Sequence, residues 1–328
     1  MIVDVHCHVI VEEMTARTVP DDWRPAIRRE DGHYRLEFRG RDINSVVGEF
    51  TDVDTMLGAA AATGVDHLLL SPWISLVPTT ADPAVARQVC DVHNTALAAI
   101  TAAHPGQVSA VGAVVLQDPP LAARQVADLV ASAGLAGVEI PASVAGRYLG
   151  DDFFLPFWEA ASGSGALVFI HPTTRGFGVP ALDGYYLWNS VGNPMETAIT
   201  AAHMAMAGVL DRFPRLRVVL AHGGGALPVV RGRLRRAFAV RPEARARLTT
   251  SPDTALRSFY YDTVTHDHDL LADLARYAGP EQLLLGSDRP FDMGTDHPVD
   301  EVRALRLGAG EELVLGGNAA RLLGTPNG

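Results

Sequence analysis

Eight short apolar runs, separated by segments with helical periodicity, constrain this chain more than any other feature. They are MIVDVH at the start, VDHLLLS (65–71), VSAVGAVVL (108–116), AGVEI (136–140), ALVFIH (166–171), LRVVLAH (216–222), SFYYDT (258–263) and QLLLGSD (282–288). The intervening segments, such as DPPLAARQVADLVASAG and PMETAITAAHMAMAGVLDRF, read as amphipathic helices. A strand that is apolar throughout is covered on both faces, as in a parallel sheet flanked by helices. Eight such units predict a closed (β/α)8 TIM barrel. An open doubly wound sheet competes with it, but no G-x-G-x-x-G follows the first run.

Residues 9–50 interrupt the pattern between the first two runs. Within them HYRLEFRGRDI alternates, with Tyr34, Leu36 and Phe38 on one side and Arg35, Glu37 and Arg39 on the other. Such alternation predicts a small β-hairpin insertion after strand one, placed to fold over the barrel mouth as a partial lid. No linker or low-complexity tract divides residues 1–328, so the barrel and its insertion are expected to form one domain.

The formal charge of −11 argues against a nucleic-acid or membrane surface as partner. No apolar stretch reaches the ~18 residues needed to span a bilayer, and the start lacks a basic leader, so a cytoplasmic location is expected. Cys7 and Cys90 make no disulfide framework, and Cys7 reads as a small core residue. All 27 basic residues are arginine. Without lysine there is no Schiff base, no P-loop lysine and no carbamylated lysine bridging two metals. Arginine clusters in an acidic chain suit bidentate capture of carboxylates.

The polar residues at the strand ends form a set. His6 and His8 close the first run and share one side of it, because side chains alternate along a strand. His171 ends the fifth, His222 the sixth and Asp288 the eighth. In a barrel all these ends open on one face, where active sites sit. Imidazoles with a carboxylate suit one divalent ion, Zn²⁺ first, with Mn²⁺ or Fe²⁺ as alternatives. Such an ion would polarise a water in its open position. On the residues alone, His222 is either a further ligand or a general base beside the metal. Gly223 to Gly225 are expected to leave room for a substrate against the backbone.

The ordered set H-x-H, H-P, H-G-G-G and G-S-D resembles the amidohydrolase superfamily. Within it the chain is most similar to the decarboxylase branch around α-amino-β-carboxymuconate-ε-semialdehyde decarboxylase. The resemblance covers nearly the whole chain, including LQD (116–118), NPMET (193–197), RFPRLRVVLAHGGG and Gly317-Asn318. It implies one Zn²⁺ held by His6, His8, His171 and Asp288, with His222 as base. Two departures fall around the substrate. Arg289 stands where the family often has tyrosine, and a tryptophan common before NPMET has no clear counterpart, with Tyr185, Tyr186 and Trp188 as the candidates to take its place.

The resemblance favours non-oxidative decarboxylation of an unsaturated or aromatic carboxylate. Hydrolysis of a lactone, amide or ester, or hydration, is the alternative; a non-catalytic metal-binding barrel is a third. A decarboxylase must grip a small-molecule carboxylate and protonate the carbon it leaves. Asp288 is expected to deliver that proton after collecting it through His222. Candidate grips are Arg41 on the insertion, Arg289 beside the aspartate, and Arg233. The helix after G-G-G is expected to start near Ala226, which puts Arg233 about two turns, or ~10 Å, along it and away from its own metal. The resemblance gives Arg233 a role in the neighbouring subunit's site, and so implies a symmetric homodimer.

Overall fold

The computed structural model describes residues 1–30, 33–43, 48–173 and 178–324, with only the backbone of residues 29, 30, 33, 34 and 41–43. Strand β1 (Val3–Val9) leads into the insertion, whose strands are β2 (Ala26–Glu30), β3 (His33–Phe38) and β4 (Arg41–Ile43). Then come β5 (His67–Pro72), β6 (Val108–Gly112) and β7 (Gly137–Pro141). A short ribbon follows, β8 (Ser143–Val144) with β9 (Arg147–Tyr148). The last strands are β10 (Leu167–His171), β11 (Arg217–Leu220), β12 (Tyr260–Asp262) and β13 (Leu283–Leu284).

Eight of these strands form one parallel sheet in the order β1-β5-β6-β7-β10-β11-β12-β13. Its two ends meet. Val5 N–H donates to Leu285 O at 2.9 Å, Asp288 N–H to His6 O at 2.7 Å and His8 N–H to Arg289 O at 2.8 Å. The (β/α)8 barrel expected from the apolar runs is therefore the fold. After each barrel strand comes a principal helix: α1 (Val53–Ala62), α2 (Pro83–Ala103), α3 (Pro119–Ala131), α4 (Leu155–Ser164), α5 (Asn193–Met206), α6 (Leu227–Val240), α7 (His268–Ala278) and α8 (Asn318–Leu323). Aspartates cap α1, α2, α3 and α7 through Asp52, Asp82, Asp118 and Asp267, each contributing about 1 kcal/mol.

Three local differences from the sequence expectation have plain causes. The insertion is a three-stranded antiparallel sheet, because Ala26–Glu30 pairs with β3 in addition to the expected hairpin. The third apolar run stops being strand at Gly112, because the buried Asn94 side chain takes over both backbone groups of Ala113, at 2.7 Å and 2.9 Å. The helix expected through residue 213 breaks after Met206, where Gly208 turns left-handed at φ 75°.

A register shift in β1 lies between Asp4 and Cys7. Val3 and Val5 join Leu69, Val111, Phe169 and Val219 in a buried cluster drawn from several barrel strands. Immediately above it the His6 ring meets Phe169 edge-on, 4.9 Å between centroids. Cys7 belongs to the other buried layer, between strands and helices. The apolar cluster thus forms a floor, and the histidines stand on it.

Candidate metal centre

Asp4 ties the first strand to the last. Its carboxylate accepts from the backbone of His6 at 3.0 Å and of Ser287 at 3.1 Å, and from the Ser287 hydroxyl. That sets H-x-H against G-S-D. Burial pushes Asp4 up to about 6, although its Ser287 hydrogen bonds oppose the shift.

His6, His8, His171 and Asp288, all buried, offer one ligand atom each within 4.8 Å of one another. Each imidazole is held by its Nδ1: His6 by Asp262 Oδ2 at 2.6 Å, His8 by Ser71 Oγ at 3.1 Å, and His171 by Pro172 O at 2.9 Å. The opposite nitrogens converge. His6 Nε2 and His8 Nε2 face each other at 3.1 Å, and His171 Nε2 has no partner among the described residues. Asp288 Oδ1 lies 3.2 Å and 3.3 Å from the Nε2 atoms of His6 and His8, without receiving a well-directed hydrogen bond. Three imidazoles with the second nitrogen anchored and the first left over form a donor set that fits a divalent cation.

Without a cation the site must neutralise itself. Burial pulls the His6 imidazole down, but Asp288 and Asp262 outweigh it and push His6 up to about 10. Burial lowers His8, with the nearby Asp288 carboxylate opposing the shift. Burial together with the neighbouring His8, His222 and His6 holds His171 well below the usual range. Asp288 is buried too, yet His6 and the His222 hydrogen bond keep its carboxyl well below the ordinary carboxylate value.

His222 Nε2 lies 3.3 Å from Asp288 Oδ2, and its Nδ1 has no partner among the described residues. Both His222 (φ 57°) and Asp288 (φ 59°) have left-handed backbones, a conformation costly for non-glycine residues and concentrated at functional sites. The glycines after His222 do not leave room for a substrate, as the sequence suggested. A Cβ on Gly223 would meet Thr265 at 2.6 Å, one on Gly224 Tyr261 at 2.8 Å, and one on Gly225 Pro194 O at 2.1 Å. The turn is bare because protein packs against it.

Several residues that sequence reasoning missed support the site. Asp262 ends β12 and accepts from His6, from the backbones of His222 (2.9 Å) and Gly223 (2.7 Å), and from Val264 (3.1 Å). Its signal was present, since SFYYDT puts one carboxylate at the same strand edge as the ligands. Glu139, inside AGVEI, is fully buried 3.8 Å from His8 Nδ1, and burial raises it well above the usual range. Glu196 of NPMET accepts from Thr173 N–H at 2.8 Å and from the hydroxyls of Thr173 and Ser143, fixing the loop after His171.

The arginines are dispersed. Arg289 pairs with Asp296 at 3.2 Å, bracing its own loop. Arg233 is exposed on α6 without an ion-pair partner among the described residues, while Arg231 and Arg235 bridge Asp273 and Asp253. The Arg41 side chain lies outside the described residues. Of the three aromatic candidates before NPMET, Tyr185 points to solvent. Tyr186 meets Trp188 edge-on, with centroids 4.9 Å apart. Burial, then Asp292 and Asp288, raise the Tyr186 hydroxyl above its ordinary value.

The amidohydrolase family model matches residues 3–325. The chain belongs to the amidohydrolase family. Over 98% of this amidohydrolase and 91% of the relative, it is 26% identical to 2-amino-3-carboxymuconate-6-semialdehyde decarboxylase of Dictyostelium discoideum. The crystal structure of 5-carboxyvanillate decarboxylase from Sphingomonas paucimobilis superposes with a TM-score of 0.83 at 26% identity, covering 99% of both chains. A dihydroxybenzoic acid decarboxylase from Polaromonas, solved with bound manganese, shares the fold with a TM-score of 0.77 at 23% identity over 98% of this chain and 96% of its own.

Proposed function

We infer that this amidohydrolase is a metal-dependent, non-oxidative decarboxylase of an unsaturated or aromatic carboxylate. The observation that carries the reading is Asp288, whose Oδ1 faces the two histidines of H-x-H while its Oδ2 meets His222. The relatives named above are decarboxylases of a carboxymuconate semialdehyde, a carboxyvanillate and a dihydroxybenzoic acid, all conjugated or aromatic acids.

His6, His8, His171 and Asp288 would hold one divalent ion, zinc by the preference of a three-imidazole, one-carboxylate set. When bound, the ion supplies Lewis-acid polarisation of oxygen ligands. The chain's own residues supply the proton path. His222 Nε2 carries a proton and Asp288 Oδ2, 3.3 Å away, receives it. The C–COO⁻ bond breaks, CO₂ leaves, and the electron pair left on carbon takes the proton from Asp288. His222 then recovers a proton from solvent. Arginines placed away from the ligands, among them Arg41 and Arg289, and Arg233 from a second copy, grip the substrate's charge. A symmetric homodimer is the working unit. A cytoplasmic setting suits two buried, free cysteines. Among the described residues no helix is long and apolar enough to cross a membrane.

The deciding experiment incubates metal-loaded protein with a panel of conjugated and aromatic carboxylates and follows CO₂ against acid release. CO₂ from at least one acid is expected. Acid release without CO₂ would make the enzyme a hydrolase.

A further inference from the structure

Asp262 is fully buried, and four N–H groups converge on its one carboxylate. Oδ2 accepts from His6 Nδ1 at 2.6 Å and from the backbone of His222 at 2.9 Å. Oδ1 accepts from the backbones of Gly223 at 2.7 Å and Val264 at 3.1 Å. We propose that Asp262 is the positioning residue that fixes the H-x-H ligand and the proton-carrying histidine to one another. The proposal rests on reading His6 as a ligand and His222 as the proton carrier.

Two separate tasks meet on Oδ2. A neutral imidazole has one N–H, so spending it at Nδ1 on a carboxylate leaves the Nε2 lone pair for a cation. For His6 that choice of tautomer is made by Asp262. The second task concerns the turn. His222 (φ 57°) and Gly223 (φ 59°) are consecutive left-handed residues. The backbone N–H groups of both point at the one Asp262 carboxylate, to Oδ2 at 2.9 Å and to Oδ1 at 2.7 Å, so Asp262 holds the turn. The His222 ring has no anchor at Nδ1 among the described residues, so its aim at Asp288 is set by its backbone, and hence by Asp262.

Packing reinforces the arrangement. A Cβ on Gly286 would stand 2.9 Å from the His6 Cβ and 3.1 Å from that of Asp262. The bare glycine two residues beyond β13, the strand between β12 and β1, is what lets those two side chains lie side by side. A carboxylate that only ended β12 would need neither the imidazole partner nor this cleared space.

The test is Asp262→Asn. An amide keeps the shape, but either rotamer turns an NH₂ group toward two N–H donors. The variant should raise the apparent dissociation constant for zinc by ~10–100-fold in chelator competition. It should also change the d–d spectrum of the cobalt-substituted protein and lower kcat more than it alters KM. Asn94→Ala serves as the control, since it removes a buried two-bond clamp outside the site. It should lower Tm while leaving the cobalt spectrum unchanged. If Asp262→Asn does not fold, ¹⁵N-histidine spectra of the zinc-loaded wild type decide instead, with His6 protonated at Nδ1 and bound through Nε2. A folded Asp262→Asn protein with wild-type affinity and spectrum would overturn the proposal. So would an equal spectral change in Asn94→Ala, or a His6 bound through Nδ1. Affinity, cobalt spectrum and NMR need no turnover, so they decide the role of Asp262 even if no acid on the panel loses CO₂.

Discussion

Asp288 Oδ2 lies 3.3 Å from His222 Nε2, while the same carboxylate's other oxygen lies 3.2 Å from His6 Nε2. One side chain therefore touches both the candidate ligand cluster and His222, the proposed proton carrier. The division of labour between those two groups should be separable by mutation. His222→Ala should retain bound metal and lose ~10²–10⁴-fold in kcat, the range for a general acid–base group. His171→Ala should lose metal and activity together. Equal metal loss in both variants would make His222 a ligand.

Metal content is the simplest check. Protein purified without added metal should carry one divalent ion per chain by elemental analysis, zinc foremost. Two equivalents, or full activity with none, would overturn the single-ion site.

Metal binding should release protons. In the metal-free fold His6 is pushed up to about 10, against an ordinary histidine value of 6.5. A raised group stabilises the metal-free fold fully below the ordinary value, and that contribution is lost as pH rises through about 10. Between those limits an incoming cation must displace the His6 proton. Affinity should therefore rise with pH, roughly tenfold per unit for one proton. Calorimetry at pH 7.5–8 (about one to two units above the ordinary value), in buffers of different ionisation enthalpy, should find about one proton released. Release of none would contradict the His6–Asp288 pairing.

The barrel, and the gathering of His6, His8, His171 and Asp288 at one place, were legible in the sequence for a physical reason. Strands covered on both faces have no polar alternation, so they stand out as apolar runs, and their ends collect on one face. Asp262 escaped notice because its importance lies in the backbone donors of His222 and Gly223, which have no letter of their own. Glu139 was hidden within an apolar strand, where only burial marks it. The glycines after His222 misled, since an absent side chain looks the same whether substrate or Tyr261 occupies the space.

Gly286→Ala tests that close packing. Its new methyl group would press on the Cβ atoms of His6 and Asp262, neither of which is a flexible chain end. The cost should be about 1–3 kcal/mol in chemical denaturation, typical of overpacking. Zinc affinity should fall with it. A variant of wild-type stability and affinity would show that the two strands can part freely.

Arg233 supplies the test of assembly. Mixed chains carrying Arg233→Ala and His222→Ala should regain activity as heterodimers, because one of the two sites then has both residues intact. A fully active monomer, or no recovery once heterodimers are shown to form, would remove Arg233 from the reaction.

The aromatic side chains between the insertion and the ligands carry one more consequence. Trp23 packs near Phe38, Phe38 meets Trp73 at 5.7 Å, and Phe291 touches both Phe50 (5.3 Å) and His8 (5.2 Å). Trp73 closes the series, 6.4 Å from Phe291. Rings in unbroken contact therefore run from the added sheet to the His8 imidazole. Trimming this protein to a minimal eight-unit scaffold would strip Trp23, Phe38 and Phe50 from the outer wall of the candidate metal site, so these rings of the insertion belong to that site's architecture as much as the strands that carry its donors.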